Sequence, residues 1–133
     1  MNRNPGQFLV GPDVEAGACA ALREFLGVPA ATEWPRTLPD RFIVVSSADG
    51  GGDVNLVQSA PLLLVECFGP SSVESSRLAR RASARLRNVA AGWPGVSVAR
   101  VECGWPVNFP DPRTSKNRHQ FTVTAVVDME IET

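Results

Sequence analysis

The chain has no tyrosine, one histidine, one lysine and three cysteines in 133 residues. Cys19, Cys67 and Cys103 are odd in number and scattered, with no Cys-x-x-Cys pair. Without paired spacing and with one histidine a structural zinc site is not expected, and three scattered cysteines do not make a disulfide framework, so the thiols read as reduced and buried. No apolar run approaches the roughly 18 residues of a membrane span. The opening MNRNPGQFLVG lacks the apolar core of about 7–15 residues that marks a signal peptide. A chain that stays inside the cell and has no membrane partner is therefore expected. The net charge of −1 leaves no basic excess for a dedicated DNA-binding role. No Gly-x-Ser-x-Gly, His-Glu-x-x-His or P-loop sequence is present, and the carboxylates are scattered singly, so no catalytic, cofactor-binding or metal-binding residue is assigned.

What is present is a globular composition, 44% apolar and 20% charged, which is enough to build one packed domain without staples. The clearest pattern is RHQFTVTAVVDMEI, residues 118–131. His119, Phe121, Val123, Ala125, Val127, Met129 and Ile131 share one face of an extended strand. Arg118, Gln120, Thr122, Thr124, Asp128 and Glu130 share the other, with Val126 the one apolar exception. A period of two held this long predicts a half-buried antiparallel strand with one wet face. That face ends in Asp128, Glu130 and Glu132, a row of like charges suited to a cationic partner.

Helical signals occupy 12–26 and 72–91. In the first, Pro12 suits the opening position, Asp13 and Glu15 sit near the positive end of the macrodipole, and Val14, Ala18, Leu22, Phe25 and Leu26 form a stripe that Gly27 and Pro29 end. In the second, Ser71 and Glu74 fit a capping box, and Leu78, Ala82, Leu86 and Val89 line the buried side. Strands are expected at 41–46, 62–68, 96–103 and along the closing pattern, with 54–58 a strand or the far side of a hairpin loop. Residues 48–53, ADGGGD, read as the hairpin tip, and 104–117 as a proline-rich excursion. The order α-β-β-α-β-β predicts a single α+β domain. Its sheet is mixed or antiparallel, of about four to five strands, with two helices on one face and a flexible N-terminus over residues 1–10.

Three features invite a functional reading. Gly50, Gly51 and Gly52 are flanked by strand signals on both sides, which suits a flexible contact loop better than a phosphate cradle. Arg77, Arg81 and Arg85 recur every fourth residue on the second helix, with Arg80 and Arg87 beside them, as a solvated face or a basic ridge for carboxylate or phosphate. No aromatics interleave them for base stacking. A basic ridge at one place and Asp128, Glu130 and Glu132 at another would let the chain pair head-to-tail with copies of itself. His119, the lone histidine, falls on the apolar side of its strand. A deep polar pocket around it is what a small enzyme or ligand-binding domain would require.

The succession Pro39-Asp40-Arg41-Phe42-Ile43-Val44-Val45, then Asp49-Gly50-Gly51-Gly52, then Ala60-Pro61-Leu62-Leu63-Leu64-Val65-Glu66-Cys67-Phe68 resembles the tail terminator proteins of long-tailed actinobacterial phages. So do the helix around Ala79 and Leu86 and the late Phe109-Pro110-Asp111-Pro112 leading to Asn117-Arg118-His119-Gln120-Phe121-Thr122-Val123. The resemblance spans roughly residues 39–132. It implies a small α+β subunit that assembles with itself as a hexameric ring on the head-proximal end of the tail tube, in the virion after assembly in the host cytoplasm. Such a ring stops tube polymerisation, meets the major tail tube protein and the head–tail connector proteins, and touches DNA only as it passes through the lumen. It implies no enzyme activity and no cofactor. The glycine loop and the excursion become the expected contacts with ring neighbours or tube, with Trp105 and Phe109 as aromatic anchors if exposed, or else tucked under the loop as a satellite core. Another head–tail joining protein, a stopper or neck subunit, fits the same setting, because fold does not choose among them.

Overall fold

Capping and alternation set the elements in the computed structural model, which describes residues 6–132. In chain order these are β1 (Phe8–Val10), α1 (Val14–Leu26), β2 (Ala30–Ala31), β3 (Phe42–Asp53), β4 (Gln58–Gly69), α2 (Ser72–Arg87), β5 (Val98–Cys103), β6 (Val107–Asn108), β7 (Asn117–Asp128) and β8 (Glu130–Glu132). Asp13 is the N-cap of α1, its carboxylate accepting the Ala16 amide at 3.1 Å, so Pro12 lies just outside the helix. Gly27 ends α1 in the left-handed region at φ 66, its amide donating to the Arg23 carbonyl. The Ser71 hydroxyl caps α2 by accepting the Glu74 amide, while the Glu74 carboxylate reaches across to Arg41. The second helix stops at Arg87, short of the expected 91, and 89–91 tighten into a 3-10 turn. Trp93 accounts for the break: its ring packs into the core and its indole N–H donates to the Leu86 carbonyl, which the helix can no longer satisfy.

The fold is α+β. The main sheet has the order β2-β3-β4-β7-β5, with β6 beside β5 on the same side of β7; β2 and β3 are parallel and every other pair is antiparallel. Six strands take part, more than the four to five expected, because 107–108 adds a two-residue strand inside the proline-rich excursion and 30–31 forms another at the start of 30–39, a stretch that reads as a loop or a short strand. Alternation holds on the helix-facing side of β7, but the strand ends at Asp128, short of the expected 131, and Ile131, expected on the same apolar face, is exposed on β8. Phe121, Val123, Ala125 and Val127 join Ile43, Val45, Leu63, Val65 and Cys67 on the face that both helices cover. Burying each valine, leucine, isoleucine or phenylalanine among them contributes about 1.5–3 kcal/mol. On the opposite face Phe42 and Phe68 stack at 4.5 Å, and Trp34 meets both rings edge-on.

Two expectations need correction. β3 continues through the glycines, pairing Gly51 with Pro61, Gly52 with Ala60 and Asp53 with Ser59 after a register shift beyond Ser47. Gly50, Gly51 and Gly52 therefore form a bulge within a strand, and the hairpin turns at 54–57, where the Val54 and Asn55 amides both reach the Gln58 carbonyl. The expected flexible N-terminus is ordered at Phe8–Val10: β1 pairs antiparallel with β8, matching Leu9 to Ile131. Residues 1–5 lie outside the described residues. Among the described residues no helix is long and apolar enough to cross a membrane.

Candidate assembly surfaces

An α-helix advances 100° per residue, so each step of four residues overshoots a full turn by about 40°. Arg77 and Arg81 remain exposed, but Arg85, two steps on, has rotated into the core. Its guanidinium donates to the Gly92 carbonyl at 2.8 Å, and its Nη1 has no hydrogen-bond partner among the described residues. The expected three-arginine ridge is thus corrected to two arginines, with Arg85 holding the turn after α2. Arg77 and Arg81 instead edge a groove of about 460 Å³ between the end of α1 and the start of α2. Leu26, Val28, Val73 and Leu78 provide its apolar lining, and Arg41 and Glu74 its paired rim. Arg81 also sits over the Phe25 ring at 5.6 Å. Arg77 makes no ion pair among the described residues.

The acidic row divides as well. Asp128 accepts from Ser97 Oγ at 2.7 Å and Gln58 Nε2 at 3.1 Å, and these bonds, the Ser97 one foremost, hold its carboxyl below the usual range. The chain then leaves β7 at Met129, whose amide donates to the Val57 carbonyl, and Glu130 and Glu132 continue exposed on β8. Ile131 lies between them, 68% exposed. The groove and the two-stranded sheet of β1 and β8 stand at opposite ends of the main sheet. β7 starts where Asn117 donates to the Pro70 carbonyl beside the first turn of α2. It ends twelve residues later at β8, about 40 Å away.

The excursion after β5 is tied down by Arg118, a residue that the sequence pattern places on a wet face. Arg118 is buried: Nε donates to the Phe109 carbonyl at 2.8 Å, Nη1 to Glu66 at 2.7 Å, and Asp111 lies 3.7 Å away. Its guanidinium stacks over Phe109 at 5.0 Å. Asp111 in turn accepts the Thr114 hydroxyl at 2.6 Å and amide at 3.1 Å. The hydroxyl bond leads in lowering its pKa, against the desolvation that raises it. Trp105 and Phe109 consequently part company. Phe109 is half covered beneath Arg118, whereas Trp105 is 80% exposed. Sequence reasoning missed Arg118, Glu66 and Asp111 because the pairing of Arg118 with Phe68, which brings it beside Glu66, is a matter of register. The Asp-x-x-Thr spacing of the turn was the one local signal available.

His119 and Ser75 form a buried pair, with Nδ1 and Oγ 2.7 Å apart. Since Ser75 Oγ also lies 3.2 Å from the Ser72 carbonyl, both contacts are satisfied when Nδ1–H donates to the hydroxyl and the hydroxyl donates onward. Burial, then nearby Arg80, lowers the His119 pKa. Ser75 has no solvent exposure, so its oxygen offers no approach to a substrate while α2 is in place. Burial likewise raises all three thiols. Among the described residues no three His, Cys, Asp or Glu side chains converge on one point. The glycine bulge lines an open hollow of about 360 Å³ with Gly11, Val14 and Leu62. Asp13 and Glu15 open the adjoining helix, and Glu15 accepts the Ser47 hydroxyl, so the corner is acidic and ill suited to an anion. No protein-family model matches the chain, and no curated protein matches it.

Proposed function

We propose that this chain is a self-assembling structural subunit that works through surface complementarity. The observation that carries this reading is large apolar side chains held exposed on ordered backbone. Trp105 stands on an excursion tied down by Arg118, and Leu56, 89% exposed, tops a hydrogen-bonded turn near the exposed Phe8. Exposed apolar groups on a fixed framework are what an interface requires, because little ordering entropy remains to be lost when a partner covers them.

More particularly, the chain acts as a phage tail terminator. Copies form a ring, six in number, on the end of the tail tube, stop its growth and present the head-proximal surface to the connector. The α+β fold, the resemblance of the sequence to that family noted above and the two unlike ends of the subunit support the reading. In the test, a tail-tube protein from the same genome polymerises in vitro with and without the chain. The expected result is shorter tubes carrying ring density at one end; unchanged tube length and bare ends overturn it.

A further inference from the structure

We infer that β8 of one copy seats in the groove between α1 and α2 of the next, Ile131 entering the apolar lining and Glu130 and Glu132 pairing with Arg77 and Arg81. The inference rests on the reading of the chain as a self-assembling subunit, and it names the contact. Three features coincide. First, the chemistries match: an apolar residue between two carboxylates faces an apolar floor edged by two guanidiniums, and none of these four charges has an ion-pair partner among the described residues. Second, the spacings match. Alternation puts Glu130 and Glu132 on one side of the strand, about 7 Å apart, with Ile131 on the other. Arg77 and Arg81, four residues apart on a helix, are separated by about 6 Å along its axis. Third, the groove lies beside the start of β7 and β8, in its own two-stranded sheet with β1, follows the end of β7 about 40 Å away, so a subunit cannot satisfy its own groove, and each copy offers one unused end to the next.

A contact between two different surfaces of identical subunits is heterologous, and it closes into a ring when the rotation per step allows. Three residues of strand are too small to hold a ring alone, given the roughly 1,600 Å² of a standard interface. Phe8 and Leu56, exposed beside β8, extend the same end of the molecule and supply further area. The ion pairs choose the register and the partner, since a like-charge juxtaposition costs several kcal/mol where an exposed pair stabilises by far less.

The test uses two charge reversals, Arg77→Glu with Arg81→Glu and Glu130→Arg with Glu132→Arg, together with the uncharged Ile131→Ser. Sedimentation velocity reads the assembly, and circular dichroism with thermal melting confirms that each exposed substitution leaves the fold intact. Each double reversal is expected to weaken self-association about a hundredfold, and Ile131→Ser about tenfold. An equimolar mixture of the two reversed proteins is expected to reassemble, because each then meets a groove or strand of opposite sign. If the reversals leave assembly unchanged, or the mixture stays dispersed, the contact is wrong while the ring reading stands. If wild-type protein remains monomeric at every concentration, both fall.

Discussion

Replacing Arg118 by methionine tests whether the excursion is held by charge. The substitution keeps length and apolar bulk but removes the cation that Glu66 and Asp111 face, along with the donor to the Phe109 carbonyl. The Asp111 side chain is 1% exposed and that of Glu66 14% exposed, so neither carboxylate can turn to bulk water without moving its strand or loop. Removing one member of a buried ionic cluster costs about 3–5 kcal/mol. That is a large share of the roughly 5–15 kcal/mol that holds a domain folded. For a chain of this size it corresponds to a fall in Tm of about 10–20 °C. Urea unfolding followed by tryptophan fluorescence measures the loss, with an unchanged m-value showing that the unfolded reference is the same. Adding Glu66→Gln to Arg118→Met is expected to recover part of it, because one unpaired buried charge is gone. A loss under about 0.5 kcal/mol, the usual size for a solvated surface residue, refutes the cluster as an anchor.

Gly51→Ala is expected to destabilise by about 2 kcal/mol or more, measured by the same unfolding. At φ 75 a side chain is strained, and its Cβ would meet the Ala60 carbonyl oxygen at 2.3 Å. Ser71→Ala removes the α2 cap and is expected to cost about 1 kcal/mol by the same assay. For Trp105→Ala, the thermal midpoint should stay within a few degrees of wild type while sedimentation shows weaker assembly; a large drop in midpoint would make Trp105 a structural residue. Stability should also fall with acid below about pH 6.5. His119 has a lowered pKa in the fold, so the unfolded chain takes up the proton first, and stability present above the unfolded value is lost as pH falls through the folded one. His119→Gln should flatten that part of the urea-midpoint profile.

Much of the framework was legible because it is local. The Ser71 and Gly27 caps, the core stripes of both helices apart from the exposed Phe25 and from Val89, which lies beyond α2, and the two-residue period of β7 depend on residues a few positions apart. What depended on partners distant in sequence was not legible. Arg118 looks solvated until β4 and the excursion bring Glu66 and Asp111 to it, and Gly51 looks like a turn until Pro61 is seen opposite. β1 has no pattern of its own and exists because β8 offers it an edge. Arg85 shows the limit of counting by fours, since the drift of about 40° per step carries a third residue off the face. Of the surfaces named from sequence, Arg77, Arg81, Glu130, Glu132 and Trp105 are exposed, whereas Arg85 is buried, Asp128 is bonded within the fold and Phe109 is half covered.

The central claim, that copies of this chain close on themselves, is tested most directly by electron micrographs of the purified protein alone. Closed rings of identical subunits around an open lumen, six to a ring and dispersing as salt is raised, are the expected result. A uniform population of monomers at every concentration and salt contradicts it.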